Sequence, residues 1–507
     1  MTEVLIHAPD TEPVPTAIPG KKAAASNWWK IGDVTVLLVY VCITTFTLQY
    51  HEKWADEAQA WLLARDLDLK TLWFHELRYE GHPGLWHTIL WFAQRVFHAP
   101  YSAIGYIGLA FAIAGVAVLI FKAPFPRIVR WPLAFTYFLV YQYAVIARPY
   151  NLLPLLCFTA AIFFKDRKHP ERLTLILILL AMLTFHGTII AGCLGAAYLV
   201  EAYKCWPQFE ERLRHKYVFC IGLMVALCVF LFFILKLPPD ASFFAVSDLV
   251  KQLQPTHLTK IIAVTSGAFL DFIVPSALFV ALSLIWCISR RQYLSFLLPV
   301  ASLIVFYSLV HGFAHHHGTV FIAAVTGLWI AWPTENEQES FGRREQMYLR
   351  AMVGLLLVLC AVNIWDAVVV IQREYKFPYS GAEDAANYLK AVGADQRPIF
   401  GYMFGMNAVQ AYFDHNILAN RAYTYSHLAI SSATETLNLT EVERVKPGYI
   451  IISAGVRQED LQPLLDSVHQ PLVSDGYTLV HISDGYMFAK RAVYEREVYF
   501  IFARTRP

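Results

Sequence analysis

The amino-acid sequence predicts a polytopic α-helical membrane protein that ends in a small α/β domain. Of its 507 residues, 57% are hydrophobic and only 16% are charged, and the mean hydropathy is +0.44. Apolar runs long enough to cross a membrane recur between short charged loops, a pattern typical of helical bundles in a bilayer. From about Arg373 the apolar runs shorten to strand length and charges become frequent, which predicts a separate domain outside the bilayer.

Charge and cysteine content exclude several classes of protein. The formal net charge is only +2, so no basic surface for nucleic acid is expected. The eight cysteines lie in or beside apolar runs without metal-ligand spacing. They predict small core residues, with neither disulfides nor a cysteine metal site.

Three parts follow from the composition along the chain. Residues 1–30, rich in Pro, Thr and Ala, predict a disordered cytoplasmic tail. Residues 31–372 predict the transmembrane domain, with external loops at 51–82 and 237–262. Residues 373–507 predict a soluble α/β domain on the outer side of the membrane.

Roughly eleven apolar runs are candidate spans, or up to about thirteen if two of them are hairpins. They lie at 31–50, 83–98, 101–121, 131–147, 150–164, 173–203, 217–236, 267–288, 293–311, 318–332 and 351–371. The basic loops of the first half all favour the cytoplasm, which simple alternation does not allow. Breaks beside Arg148 and His186, where Pro149, Pro154 and Gly187 interrupt the runs, would bring those two turns to the outer face.

The two external loops carry different predictions. In the first, Trp54, Trp61 and their apolar neighbours recur at roughly helical spacing, so we expect amphipathic juxtamembrane helices on the membrane surface. In the second, a surface helix is expected. That loop either covers a cleft as a flap or simply connects two spans.

The C-terminal domain shows no recognisable catalytic motif. It lacks a Gly-rich phosphate loop, a nucleophile elbow and paired Cys or His ligands. Its predicted elements are helices at 382–392 and 459–468, strands at 398–403 and 449–453, and a hairpin of 477–482 with 486–490 that turns at Ser483-Asp484-Gly485.

Candidate chemistry is concentrated in the first external loop. Asp56 and Glu57 follow the first predicted span, and Glu80 and His82 precede the second. Such acids can be merely a solvated helix terminus, but both ends of this loop are tethered to one membrane surface. A carboxylate in a partly desolvated place can have its pKa raised enough to deprotonate a hydroxyl group, so we expect a general base here.

Two cationic positions interrupt the apolar runs. Arg148 stands beside Pro149 and Tyr150. An arginine at the end of a span often only reaches the headgroups, yet one fixed at a break is well suited to bind phosphate. His186 precedes Gly187, where it is either a satisfied core residue or a second phosphate ligand.

A histidine-rich segment runs from His311 to Gly318. His311 and His315 have the spacing of a helical metal pair. The consecutive His315, His316 and His317 point in different directions, so we expect imidazoles that donate hydrogen bonds to a phosphate or diphosphate. A metal ion held by His311 and His315 is the weaker alternative.

Taken in order, these motifs resemble the GT-C fold glycosyltransferases, most closely the protein O-mannosyltransferase and lipid A aminoarabinose transferase group. The resemblance covers about 31–370 and rests on short motifs. His82 and His186 stand where the aminoarabinose transferases often have lysine. The shared features are an N-terminal span, Asp56-Glu57 in the first external loop, Glu80-Gly81-His82-Pro83-Gly84 at the second span, Ala147-Arg148-Pro149-Tyr150, His186-Gly187 and a soluble C-terminal domain.

The resemblance implies an inverting transfer from a polyprenyl-phosphate sugar, with Asp56 as the catalytic base. Residues expected to position the acceptor or the sugar are Glu57, Glu80 and Tyr150. Residues expected to hold the lipid phosphate are His82, Arg148, His186, His315, His316 and His317. No cofactor is required, although a divalent cation, Mg²⁺ or Mn²⁺, could assist.

The expected partners are a polyprenyl-phosphate-linked sugar donor, membrane lipids and an acceptor that is a glycan, a lipid or a protein. The expected location is a bacterial inner membrane, with the N-terminus in the cytoplasm and the C-terminal domain in the periplasm. A lipid-linked sugar flippase is an alternative, but it would be expected to show repeated halves. An O-antigen ligase-type transferase, which would use a lipid-diphosphate donor, also stays open. A membrane scaffold would leave the acids of the first loop unexplained.

Overall fold

The computed structural model describes residues 20–236, 238, 256–310, 312–427 and 437–505. Over these residues the chain is mostly helical, with one four-stranded sheet near its C-terminal end. Residues 1–19 of the predicted tail lie outside the described residues. From Gly20 onward the rest of it is already helical. Most of the predicted loop 237–262, with its surface helix, also lies outside them, and the next helix begins at Thr256.

The helices of seven or more residues are numbered in chain order. They are α1 Gly20–Leu48, α2 Ala55–Asp66, α3 Leu85–Phe97, α4 Ala103–Lys122, α5 Arg127–Ala134, α6 Leu153–Phe163, α7 Pro170–Ala181, α8 Phe185–Lys204, α9 Glu211–Ile234, α10 Thr256–Ala268, α11 Ile273–Ser289, α12 Tyr293–Leu309, α13 Ala314–Ala331, α14 Arg343–Lys376, α15 Ala382–Ala391, α16 Leu439–Val445 and α17 Leu461–Ser474. The strands are β1 Ile399–Tyr402, β2 Tyr449–Val456, β3 Tyr477–Ala489 and β4 Ala492–Arg504.

Five of the described helices, α1, α4, α8, α9 and α14, are long and apolar enough to cross a membrane. The helices α10 and α11, which meet at an angle of 73°, make a sixth candidate if they are counted as one broken span. The membrane class predicted from the composition is therefore confirmed. The predicted count of about eleven spans is not confirmed, because several of the apolar runs form helices shorter than a span.

Both predicted breaks are present. The run predicted at 131–147 is not one helix, since α5 ends at Ala134 and only a short π-helical turn follows at Phe138–Gln142. The run at 173–203 divides between α7 and α8, where the Thr184 hydroxyl oxygen accepts a hydrogen bond from the Gly187 N–H. A Cβ atom at Gly187 would lie 2.2 Å from the Leu180 carbonyl oxygen, so only glycine fits this turn.

The prediction of an amphipathic helix on the membrane surface is wrong for α2. Nine of its twelve residues are buried. Trp61 and Ala64 pack into the core of the transmembrane helices, whereas Leu62 and Leu63 pack into a core shared with the C-terminal domain. The apolar residues of α2 therefore meet protein on both faces, and a sequence pattern does not distinguish that surrounding from lipid.

The C-terminal sheet has the strand order β1-β2-β4-β3, with β1 and β2 parallel and the other pairs antiparallel. The predicted helices are confirmed as α15 and α17, and the first two predicted strands as β1 and β2. The predicted turn at Ser483-Asp484-Gly485 is wrong, because β3 runs straight through it and the hairpin turns at Lys490 and Arg491. Gly485 serves close approach instead, since a Cβ atom there would lie 2.4 Å from the Ser380 backbone.

The tip of the β3–β4 hairpin anchors the C-terminal domain to the membrane helices. Lys490 and Arg491 both form ion pairs with Asp271, between α10 and α11. They also pair with Asp366 of α14, at 3.3 and 2.9 Å respectively, and the Asp366 side chain is fully buried. A buried ion pair is costly to break when one partner is removed. The hairpin tip therefore helps to hold the domain against the bundle, in addition to the packing of helix α2.

Candidate active site

Helix α2 presents Asp56 toward Arg148. The guanidinium Nη2 of Arg148 lies 2.8 Å from the Asp56 Oδ2 atom. Arg148 itself stands at the break before the short 3₁₀ turn Pro149–Leu152, and its guanidinium lies 5.5 Å from the ring centres of Trp54 and Tyr150. These two rings contact the guanidinium at the start of α2.

The second amino group of Arg148 is available for a ligand. Its Nη1 atom is buried and has no hydrogen-bond partner among the described residues. A guanidinium has a planar fork of donors that matches a phosphate. One arm of this fork thus holds Asp56 and the other is free to bind an anion.

The environment of Asp56 favours its protonated form more than water does. Burial raises the pKa of Asp56 above its usual value, and the neighbouring Glu80 and Glu57 act in the same direction. The positive charge of Arg148 opposes this shift but does not cancel it. A carboxylate with a raised pKa is a stronger base at neutral pH, as the predicted role of Asp56 requires.

Glu57, the next residue of α2, is fully buried. Its Oε1 atom accepts a hydrogen bond of 2.7 Å from the Ala147 N–H, and its Oε2 atom accepts one of 3.2 Å from the Trp54 N–H. The His51 ring completes the set at 3.0 Å. These bonds tie α2 to the turn that carries Arg148, so Glu57 is occupied by protein atoms where the sequence predicted contact with a substrate.

A buried chain of polar groups continues from Glu57, and we call His51, Glu57, Glu374 and Tyr141 the His51 network. The second ring nitrogen of His51 lies 2.8 Å from the Glu374 Oε1 atom, and the Tyr141 hydroxyl donates to Glu374 Oε2. Burial lowers the pKa of His51, but the two carboxylates outweigh it and raise the pKa to about 10. For Glu57, burial raises the pKa, but the charge and hydrogen bond of His51 and the Ala147 N–H lower it below its usual value.

The sequence did not predict the His51 network. His51 belongs to the predicted first external loop, but Glu374 is more than three hundred positions away at the end of α14. An acid in the last turn of an apolar helix was the only available signal, and it is more often a solvated terminus.

Glu80 is held by the C-terminal domain. His427 bridges Glu80 and Glu76, at 2.6 and 2.7 Å from its two ring nitrogens, and the Gln59 amide also donates to Glu80. Burial lowers the pKa of His427, but the two acids raise it to about 9. Glu80 is thereby fixed close enough to Asp56 to act on it by charge. His427 and Gln59 were both missed by sequence reasoning, since neither belongs to a recognisable motif.

The predicted imidazoles gather around Tyr150. The Tyr150 hydroxyl lies 3.2 Å from His186 Nδ1, and its ring centre lies 6.1 and 6.0 Å from the rings of His315 and His316. The rings of His186 and His316 are 4.9 Å apart. His82 is close enough to Arg148 and His186 to interact with both by charge, and its Nδ1 atom is buried without a hydrogen-bond partner in the described part of the chain.

His317 does not join this cluster. Its ring packs against α10, where a Cβ atom at Gly267 would lie 2.2 Å from His317 Nδ1. It also interacts by charge with Lys490 of the hairpin tip. Successive residues of a helix point about 100° apart, so the first turn of α13 directs two histidines to Tyr150 and the third away from it.

In the described ranges, no group of three or more His, Cys, Asp or Glu side chains is arranged to hold a metal ion. His311, and with it the predicted metal pair His311/His315, lies outside those ranges. What the site offers is one carboxylate with a raised pKa, one half-engaged guanidinium and a group of buried imidazoles. Such an arrangement can bind an anion and accept a proton beside it.

No protein-family model matches this chain, and no curated protein was found to be similar to it in sequence. Among solved structures, it is similar to the apo state of ArnT from Cupriavidus metallidurans, at 13% identity and a TM-score of 0.47, over 94% of this chain and 98% of that one. The same protein bound to undecaprenyl phosphate aligns at 12% identity and a TM-score of 0.44, over 92% and 97%. ArnT is a lipid A aminoarabinose transferase of the GT-C fold, the group that the sequence motifs resemble. Likenesses this distant assign no donor, acceptor or residue role to the present chain.

Proposed function

We propose that this protein is an inverting glycosyltransferase that moves a sugar from a polyprenyl-phosphate donor to an acceptor at the outer face of the membrane. The observation that carries the proposal is the Asp56–Arg148 pair, in which a carboxylate with a raised pKa touches a guanidinium that keeps one buried donor free. A base and an anion site thus lie at the two different amino groups of one guanidinium. The transferase is formed by residues 31–372 and completed by the domain at 373–507. Its place is a bacterial inner membrane, with the N-terminus cytoplasmic and the C-terminal domain periplasmic.

The donor phosphate binds between Arg148 and the imidazoles. Arg148 contributes its free Nη1 atom, and His82 contributes its unpartnered Nδ1 atom. His186, His315 and His316 lie around Tyr150 on the same side. Donors arranged in advance around a developing negative charge stabilise it without reorganisation, and this is often the largest contribution to catalysis.

Asp56 takes the proton in the transfer step. The acceptor hydroxyl oxygen forms a bond to the anomeric carbon from the side opposite the phosphate, and the bond between that carbon and the phosphate oxygen breaks. The hydroxyl proton goes to Asp56 and the electron pair leaves with the polyprenyl phosphate. Because the phosphate leaves readily, no second carboxylate acting as an acid is needed. When Arg148 shares its charge with the phosphate, Asp56 becomes a stronger base.

The remaining predicted residues act in support. Glu80, fixed by His427 and Gln59, raises the pKa of Asp56 through its charge and can accept hydrogen bonds from the sugar. Tyr150 places its hydroxyl beside His186 and its ring beside Arg148. Glu57 positions Arg148 through the Ala147 N–H.

The test is transfer by the purified protein in lipid nanodiscs. The donors are undecaprenyl-phosphate and undecaprenyl-diphosphate forms of glucose, mannose and aminoarabinose, and the acceptors are envelope lipid, glycan and protein fractions. We expect transfer from a monophosphate donor with release of undecaprenyl phosphate, and loss of that transfer in Asp56→Asn. Transfer only from diphosphates would indicate a ligase-type enzyme, and movement of the donor across the membrane without transfer would indicate a flippase. Normal transfer by Asp56→Asn at equal expression would contradict the mechanism.

A further inference from the structure

His87, in the first turn of α3, is a buried histidine that the proposed transfer does not use. Only 1% of its surface is exposed, and neither of its ring nitrogens has a hydrogen-bond partner among the described residues. A neutral imidazole carries one N–H donor and one acceptor nitrogen. Folded proteins seldom bury such groups unpaired, so we expect a ligand at this ring.

Hydrogen bonds fix the turn that carries His87. The Leu85 N–H donates to the Met182 carbonyl oxygen over 3.0 Å. The Trp73 indole N–H donates to the Thr88 hydroxyl oxygen over 2.9 Å. The first of these bonds ties the start of α3 to the break between α7 and α8, which belongs to the candidate site. His87 is therefore held beside the region where the donor phosphate is proposed to bind.

The ring of His87 forms a pair with the ring of His82. Their centres are 6.2 Å apart, and His82 also has a buried nitrogen, Nδ1, without a partner in the part of the chain that the structure describes. An oxygen atom that is hydrogen bonded to a ring nitrogen at about 2.9 Å lies about 4 Å from the centre of that ring. Two rings at the observed separation can thus both bond a single oxygen atom.

The charge around this pair favours an anionic oxygen. His82 interacts by charge with Arg148, whose Nη1 atom is likewise buried and unpartnered over the described ranges. A phosphate has several oxygen atoms, so one of them can meet the guanidinium while another meets the imidazoles. A ligand with a single hydroxyl or carbonyl group could not satisfy both.

We infer that His87 and His82 together bind one oxygen atom of the lipid phosphate, so that His87 is a further donor-binding residue. The inference rests on the proposed function, because it takes the polyprenyl phosphate as the ligand. It also gives a reason for a polar ring in an otherwise apolar stretch of α3. The ligand-free protein then carries an unpaired polar group that binding of the phosphate satisfies.

The test measures stability and binding in His87→Phe, with the protein in phosphatidylcholine nanodiscs and undecaprenyl phosphate as the probe. Phenylalanine keeps the ring and removes both nitrogens. Replacing an unpaired buried polar group by an apolar one is neutral or stabilising, so the melting temperature without the probe should be unchanged or higher. The Kd for undecaprenyl phosphate should rise about tenfold or more, since a hydrogen bond to a charged group is lost. Undecaprenol, which lacks the phosphate, should bind both proteins equally.

Two further variants complete the experiment. His87→Leu removes the ring without adding bulk and should behave like His87→Phe. Ser283→Ala is the matched control, because it also removes a buried hydrogen-bonding group that is unpartnered within the described residues, on α11. It should leave the Kd unchanged.

Two results would overturn the inference. An unchanged Kd in both His87 variants would show that the ring does not bind the phosphate. A lower melting temperature of both without the probe would show that the ring has a structural partner instead. If undecaprenyl phosphate did not bind the unsubstituted protein at all, the proposed function itself would fail, and this outcome is distinct from a failure confined to His87.

Discussion

The Asp56–Arg148 pair and the His51 network begin at adjacent residues of one helical turn, yet the pKa values of the two acids shift in opposite directions. Asp56 has one cationic partner, some exposure and a raised pKa. Glu57 is fully buried, is hydrogen bonded by three groups and has a lowered pKa. Burial acts on both carboxylates in the same direction, so the number of donors that each one meets decides the sign of the shift.

The difference separates a group that can change its protonation from one that holds the structure in place. A carboxylate with three donors keeps its charge over the whole physiological pH range, which suits an anchor between α2 and the Arg148 turn. A carboxylate with one partner, whose attraction a phosphate would weaken, can gain and lose a proton during a reaction. The adjacent Asp56 and Glu57 in the sequence predict neither property.

The first prediction tests what the fork of donors of Arg148 contributes beyond its positive charge, and its effect should be the largest. Arg148→Lys keeps a positive charge but loses the fork that joins Asp56 to a phosphate, so the transfer rate should fall about a hundredfold, and about a thousandfold in Arg148→Ala. Steady-state transfer from the undecaprenyl-phosphate donor measures this. Arg172→Lys, at an exposed position, is the control. A rate for Arg148→Lys near that of the unsubstituted protein would show that the fork is not used.

The second prediction contrasts the two adjacent acids directly. Glu57→Gln leaves His51 charged beside Glu374 alone and weakens the anchor, so the free energy of unfolding should drop by about 3–5 kcal/mol, the usual cost of breaking a buried pair. Asp56→Asn should leave the unfolding free energy nearly unchanged while abolishing transfer. Denaturant unfolding in detergent, with the exposed Glu459→Gln as control, measures both. Equal unfolding free energies for the two variants would contradict the assignment of Glu57 as the structural acid.

The third prediction, with the smallest change, concerns how the stability set by His51 and His427 depends on pH. The pKa of His51 is raised to about 10 and that of His427 to about 9. In an unfolded chain neither histidine meets its two acids, and its pKa is 6.5. A raised pKa contributes stability that is complete below the unfolded value and is lost as the pH rises through the folded value. The melting temperature should therefore decline between about pH 7 and about pH 10. His51→Gln should flatten that decline, and an unchanged slope would show that the network does not stay charged.

Much of the fold followed from local patterns, and the failures have a common cause. Apolar runs, glycine and proline breaks and the short buried strands β1 and β2 depend on neighbours in sequence, so they were predicted. The turn at Gly485 was misplaced because the same residue that permits a turn also permits close approach to Ser380. The surface placement of α2 was wrong because its covering domain begins about three hundred residues later.

The residues of the candidate site also fall into those that were predicted from sequence and those that were not. Asp56, Arg148, His82, His186, His315 and His316 were predicted as members of one site, and the structure brings them around Tyr150 and the start of α2. His317 turns away because it lies further round its helix. His51 and His427 were missed, since each acts through a contact with a distant part of the chain.

The membrane class, the positions of the breaks and the residue types that could bind a phosphate or accept a proton could all be predicted from the order of the amino acids. These properties depend on hydropathy, backbone geometry and side-chain chemistry, all of which are local. Which of the two adjacent acids is free to react depends on the folded chain, because two of the donors around Glu57 and the guanidinium beside Asp56 come from other segments. Protonation depends on the whole surrounding of a group, and that surrounding exists only once the chain has folded.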